Sequence, residues 1–338
     1  MEGGGRHAGR HVVRARHPEA ATGARRAGEE IGKSPRIRCL FIEKDAHAFT
    51  ALEAAAADAT DLGARALHGG FEESIPAILD FVGGAFALVF VDPTGWTGFG
   101  LRRIAPLLEH EPGEVLINFM FDHINRFLGD PAGCAASFDE LFGGPGWNDA
   151  VAACERREAA ILDLYLQRVR GTGRFRHVTS TRILKPTMDR AYYYLVYGTR
   201  HWKGLLEFRK VEEAAVSEQE RIRLQAKQDR RVARTGQTEM FAGPALACGP
   251  ASFEHERKLQ RAAALARLRA LLDRPDRIAY VDALAESLEL PLVWERDVKA
   301  MILELQESGD LAIEGLRPRE RTPKPGHYLV RPKLARGR

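Results

Sequence analysis

Residues 85–91 read AFALVFV and run straight into Asp92-Pro93-Thr94-Gly95-Trp96. A short, unbroken apolar run rich in Val and Phe, bounded by Gly83-Gly84 and Pro93, reads as a β-strand. Its continuity matters more than its length. A strand with one wet face alternates apolar and polar residues, whereas an all-apolar strand belongs to a parallel sheet covered on both sides.

The neighbouring segments follow the same logic. Ile37–Glu43 (IRCLFIE) is a second short run, expected as a buried strand, and Ala64–Leu67 is a weaker one. Asp45–Ala59, with Phe49 and Leu52 on one face, and Ser74–Val82 are expected helices; Pro76 is tolerated in the first turn of the latter. Leu101–Leu108 is a further helix and Val115–Phe119 a further buried strand. Strands alternating with helices are the pattern of βαβ units.

Beyond them, Ser137–Phe142 and Asp149–Arg170 read as helices. His177–Leu184 and Tyr192–Tyr197 are joined by Lys185-Pro186-Thr187-Met188-Asp189, a connection suited to a hairpin that closes the sheet with an antiparallel strand. Trp202–Ala215 is helical, and the polar stretch from Ser217 to Arg234 extends it. Gly236–Pro250 is rich in Gly, Pro and small residues, as a linker is. Then come three expected helices, Glu254–Leu272, Tyr280–Leu288 and Trp294–Ser308, followed by short strands at Leu311–Glu314 and His327–Arg331. Three helices and a two-stranded wing form a winged helix, a relative of helix-turn-helix.

The whole chain has 338 residues and a formal net charge of only +4, but the charge is unevenly spread. Residues 1–36 hold eight cationic and four acidic side chains, 37–216 hold 19 and 24, and 217–338 hold 23 and 18. The first 36 residues offer Val12, Val13 and Ile31 as their large apolar side chains, too few to offset the entropy of ordering, so a disordered basic leader is expected. The domains expected are therefore the leader at 1–36, an α/β domain at 37–216, an extension and linker at 217–252, and a winged helix at 253–332. Four scattered cysteines with no C-x-x-C pair indicate neither zinc nor a secreted disulfide framework. No apolar run is long enough for a membrane span and no signal segment is present, so a cytoplasmic protein without a metal site is expected.

Ligands of open parallel sheets bind at the carboxyl ends of the strands. Glu43 ends the first strand and is either a ribose acceptor or a solvated loop acid. Gly70 and Phe71 end the second; they would let an adenine approach the backbone with Phe71 beside it, or they form a plain turn. Asp92 and the Pro93 carbonyl could hold an exocyclic amine while Trp96 offers a stacking face, Asp92 as a helix N-cap being the other reading. Residues 118–126 (NFMFDHINR) add polar groups at the fourth strand end. Thr199-Arg200-His201 either meets a substrate or caps the next helix. Arg317, Arg319, Arg321 and Lys324 in the wing are the expected phosphate contacts.

The segments FIEKD (41–45), FVDPTGW (90–96), LINFM (116–120), INR (124–126) and YYYLVYGTRHWKGLLEF (192–208) resemble the three-Cys-motif partner protein family. DPTGW is similar to a variant of the [D/N]-P-P-[Y/F/W] motif of amino-group methyltransferases. The resemblance implies a Rossmann-type, methyltransferase-like sheet and a C-terminal winged helix. It further implies S-adenosylmethionine as cofactor, with Glu43, Gly70 and Phe71 around it and Asp92, Pro93 and Trp96 at the acceptor amine. Nucleic acid and a three-cysteine-motif protein resembling radical-SAM enzymes are the implied partners. Such a chain is expected to be either a methyltransferase-like protein acting on or with nucleic acid, or a non-catalytic partner that docks nucleic acid. Two departures are plain. The strand and glycine turn that precede the first segment in such folds have no counterpart in residues 1–36, whose Arg/Ala/Gly/His composition is that of a displaced reading frame. Thr94-Gly95 stands where the motif has Pro and an aromatic residue.

Overall fold

The computed structural model describes residues 36–127, 132–152, 157–185, 190–235, 253–274 and 276–332. The expected leader (apart from Arg36), the linker and the tip of the hairpin at 186–189 lie outside the described residues. The chain forms a mixed α/β structure in two compact units, one up to Gly70 and the other from Phe71 onward. The α/β domain expected over 37–216 is thus divided at Gly70, and its larger part shares a unit with the C-terminal helices.

In the first unit, β1 (Leu40–Glu43) and β2 (Arg65–His68) pair in parallel around helix α1 (Ala46–Asp58). Asp45 caps α1 by accepting the Ala48 N–H at 2.8 Å, satisfying one of the donors that a helix start leaves open. Glu43 in turn accepts the Asp45 N–H at 2.7 Å. Phe49 packs beside His68, whose Nε2 lies 3.1 Å from the Lys44 carbonyl.

The second unit contains a four-stranded sheet in the order β3 (Ala87–Val91), β4 (Gly113–Phe119), β6 (Ala191–Thr199), β5 (His177–Leu184). β3 and β4 are parallel; β6 is antiparallel to both β4 and β5. The expected hairpin is present, and its second strand is the one that lies against β4. The helices on this sheet are α2 (Ile75–Val82), α3 (Leu101–Leu108), α4 (Phe121–Phe127), α5 (Ala135–Leu141), α6 (Trp147–Ala152) and α7 (Arg157–Gly173). The helix expected at 149–170 is described over α6 and α7, with 153–156 outside the described residues. Trp147 opens the first of them, buried and donating its ring N–H to Asp139 at 2.9 Å.

One expectation about burial is corrected. AFALVFV was read as a strand covered on both faces, but β3 is an edge strand, and Phe86, Leu88 and Phe90 are 61%, 57% and 55% exposed. These three share one face because side chains alternate along a strand. On the other face Val91 is buried. In the first unit β1 likewise has Phe41 exposed. An apolar run requires two-sided cover only where other layers supply it, which a strand's own residues do not reveal.

Helix α8 (Trp202–Thr235) leaves the sheet and leads towards α9 (Phe253–Leu272), α10 (Tyr280–Leu288) and α11 (Glu295–Glu307). A small antiparallel sheet, β7 (Ile278–Ala279), β9 (Tyr328–Val330), β8 (Ala312–Glu314), completes this part. Val298, Ile302 and Leu305, the face expected of α11, are buried together with Leu268, Tyr280, Leu284, Leu288, Leu329 and Leu205 of α8. Each such side chain contributes roughly 1.5–3 kcal/mol by leaving water, which explains why α8 and the terminal helices share a core.

A buried polar network fastens this helical part to the edge strand β5. Arg209 of α8, 1% exposed, donates to the Leu288 carbonyl at 2.8 Å, to Glu212 at 2.6 Å and to Thr179. Glu212 also accepts the Thr181 hydroxyl at 2.6 Å. Next to it Glu289 pairs with Arg170 at 2.8 Å and with His177 Nδ1 at 2.9 Å. Burial opposes the ionised form of Glu289, but the His177 hydrogen bond and Arg170 outweigh it and hold its pKa below the usual carboxylate value.

Candidate functional site

The sheet brings four strand ends to one edge. β3, β4 and β5 run in one direction, so Asp92, Asn118 and Lys185 all lie at carboxyl ends; the antiparallel β6 begins at that same edge with Ala191-Tyr192-Tyr193. Val91 pairs with Ile117, so Asp92 and Asn118 are opposite one another at the next position and on the same face. Asn118 Nδ2 donates to Asp92 Oδ1 at 2.7 Å. The amide therefore orients the carboxylate, and Asp92 remains exposed. Asn118 Oδ1 has no hydrogen-bond partner among the described residues. Asp92 does not cap a helix, since α3 begins after Gly100.

Tyr193 stands close enough to Asp92 for its charge to be felt: burial first, then the Asp92 and Tyr192 charges, push the phenol above its ordinary pKa. Tyr192 is 39% exposed. Tyr194 is buried, with its hydroxyl on Glu158 at 2.5 Å. Alternation along the strand sets Tyr193 on one face and Tyr192 and Tyr194 on the other; Tyr192, at the strand's start, stays partly exposed, while Tyr194, further along, is buried.

Beside them lies a charge cluster built on Asp122, at the start of α4. Its side chain is fully covered, with 0% exposure. Arg126 and Lys185 donate to its Oδ2 at 2.6 and 2.8 Å, and Arg190 Nη2 lies 2.9 Å from Oδ1. Burial alone would raise the carboxyl pKa; hydrogen bonds from Lys185 and Arg126 and the charges of Arg126 and Arg190 reverse this and lower it. Arg126 is 61% exposed and Arg190 44% exposed. The acid is covered by its own cations, which are anchored at one end and face water at the other. Asp122 and Arg126 lie within the polar stretch expected at the fourth strand end. Lys185 was expected only as part of the hairpin, and Arg190 had no signal beyond its place just before YYY.

Other expected residues are placed differently. Trp96 is 8% exposed and stacks on Phe138 at 4.5 Å, with Phe127 at 5.5 Å; the free stacking face expected of it is taken up by the core. Pro93 follows Asp92 in the irregular loop and is half-buried. Thr199-Arg200-His201 lies at the opposite edge of the sheet, where β6 ends next to the start of β4. There Arg200 donates to the carbonyls of Leu108 and Gly113 at 2.8 and 3.0 Å, and Thr199 accepts the His201 N–H at 3.1 Å. These residues brace the chain reversal.

Of the expected cofactor residues, Glu43 and Gly70 belong to the first unit and Phe71 to the second. Glu43 gives one carboxylate oxygen to the Asp45 N–H, and the Phe71 carbonyl accepts the Ser74 N–H at the turn before α2. Both make the local loop contacts of the simpler reading.

In the C-terminal part, Arg317, Arg319 and Arg321 are exposed in the loop between β8 and β9. None of the three makes an ion pair with a described residue. Lys324 is committed to Glu320 at 2.9 Å, and the Arg317 N–H, followed by Lys324, holds the Glu320 carboxyl down at a pKa of about 2. On α11 the outward cations are neutralised: Arg296 by Glu213 at 2.7 Å and Lys299 by Glu295 at 2.7 Å. No helix among the described residues is long and apolar enough to cross a membrane.

No protein-family model matches this chain, and no curated protein or solved structure matches it either.

Proposed function

We propose that the chain is a nucleic-acid-binding protein built on a methyltransferase-like, Rossmann-type sheet with a C-terminal winged helix. The observation that carries this reading is the Asp92–Asn118 pair, a carboxylate held at 2.7 Å by its neighbour, exposed at the carboxyl edge of the sheet and close enough to Tyr193 for its charge to be felt there. A carboxylate accepts from the exocyclic amine of adenine or cytosine, and an aromatic edge suits the face of a base. The antiparallel β6 lying between β4 and β5 agrees with the resemblance to methyltransferase sheets. Arg317, Arg319 and Arg321, without an ion pair among the described residues, supply the phosphate contacts of the wing, so the loop rather than α11 is the gripping element. The test is binding of single-stranded oligo-dA and oligo-dT followed by fluorescence anisotropy. Preference for oligo-dA that disappears in Asp92→Ala supports the reading; equal binding of the two by the unaltered protein rejects it.

A second reading, methyl transfer to the held amine, is favoured by the place of Asp92. A carboxylate at that strand end would fix the direction of the amine lone pair, and positioning supplies much of the rate in such a reaction. It requires S-adenosylmethionine to bind in a calorimetric titration and binding to be lost in Glu43→Ala. If no heat of binding is found, the docking role stands alone, and the three-cysteine-motif protein implied by the resemblance becomes the partner to seek by co-purification.

A further inference from the structure

Among the described residues three cations converge on one carboxylate at Asp122, so the cluster has a surplus of two positive charges there. A buried acid that merely needs neutralising is satisfied by one cation, and each further cation placed beside it is repelled by the first. Arg126 and Arg190 nevertheless face water for much of their surface while their inner ends are fixed. Such an arrangement holds guanidinium donors ready for an anion without the entropy normally lost in ordering long side chains. Lys185 also lies 5.8 Å from the Tyr192 ring centroid, joining the cluster to the aromatic edge.

From this geometry we infer that Arg126, Lys185 and Arg190 form a phosphate-gripping site for the backbone of a single-stranded nucleic acid, with Asp122 as the positioning residue that holds them. The inference rests on the reading of Asp92–Asn118 as a base-amine acceptor, because the two clusters share one edge of the sheet. It adds the class of ligand contact there: a phosphodiester, read without regard to sequence.

The experiment is a salt titration of oligo-dA and oligo-dT binding to the full chain and to Arg126→Gln/Arg190→Gln. Lys185 still neutralises Asp122 in that variant, so the thermal midpoint stays close to that of the unaltered protein. The affinity should fall roughly tenfold for both oligonucleotides alike, and the slope of log affinity against log salt should become shallower by about 1.4, at about 0.7 for each phosphate contact on a single strand. If the double variant is poorly folded, Arg190→Gln alone, which removes the cation paired to Oδ1, should still lessen the slope by about 0.7. An unchanged slope and affinity overturns the inference. Failure of Asp92→Ala to alter base preference, with the slope change intact, sinks only the base-amine reading. If neither oligonucleotide binds the unaltered protein, both fall together.

Discussion

Glu212 and Asp122 are both carboxylates with no exposed surface in their side chains, yet they are held in opposite ways. Glu212 has one cation, Arg209, itself buried, and the rest of its bonding capacity goes to the Thr181 hydroxyl and the Leu292 N–H. Charge is balanced and every partner is protein. Asp122 has three cations, two of which reach into water. The first arrangement joins α8, β5 and the end of α10 and leaves nothing over. The second leaves charge and donors over. Burial of an ionisable group therefore does not by itself mark a site. The surplus, and the direction in which it faces, is what the phosphate-gripping proposal rests on.

The largest effect should come from unbalancing the first cluster. Glu212→Ala leaves the Arg209 guanidinium buried without its counter-charge, a change that costs about 3–5 kcal/mol, measurable by urea unfolding. The double change Arg209→Met/Glu212→Leu removes both charges and should cost much less. A double variant as unstable as Glu212→Ala would mean that packing, and not charge balance, holds this junction.

A smaller loss is expected at the second cluster. Asp122→Asn keeps the shape but removes the charge that holds three cations, and should cost about 1–3 kcal/mol. Acid sharpens the comparison. Asp122 and Glu289 both have native pKa values lowered from their ordinary ones. The unfolded chain thus takes up protons first as pH falls. Their contribution is fully present above the unfolded values of about 3.9 and 4.3 and is lost as pH drops through the native values. Unfolding followed between about pH 6 and pH 2 should show this decline, and Asp122→Asn should make it shallower. An identical acid limb in the variant would show that Asp122 is not differentially ionised in the native state.

The smallest effect on the fold is expected in the loop between β8 and β9. Arg317→Gln/Arg319→Gln/Arg321→Gln removes cations with no acid to lose, so thermal stability should be unchanged while the salt slope of oligonucleotide binding becomes shallower by about 2. A drop in stability instead would show that these arginines brace the loop, as Glu320 and Lys324 do.

Much of the local structure is legible in the sequence. Leu101–Leu108 and Tyr280–Leu288 fall where their periodicity puts them, because an amphipathic face is written in successive residues. Asp92 was legible too, since a carboxylate directly after an apolar strand has no packing role. The cluster at Asp122 was not. It unites residues 122, 126, 185 and 190, which meet only because β6 reverses direction and returns the hairpin to the edge where β4 ends. Trp96 was misread for a related reason: an aromatic side chain is equally suited to a ligand face and to a core, and Phe127 and Phe138, distant in sequence, decided between them.

The alternation of strands and helices, the helix faces, the hairpin and the basic C-terminal loop were determined by the sequence alone, through short-range preferences and the spacing of apolar residues. Tertiary structure alone decided which apolar strand lies at an edge, which arginines are neutralised, and which of two buried carboxylates carries a surplus of charge. Each of these depends on the sum of neighbours brought together from far along the chain, and Coulomb energy and burial are properties of that sum, not of any one residue.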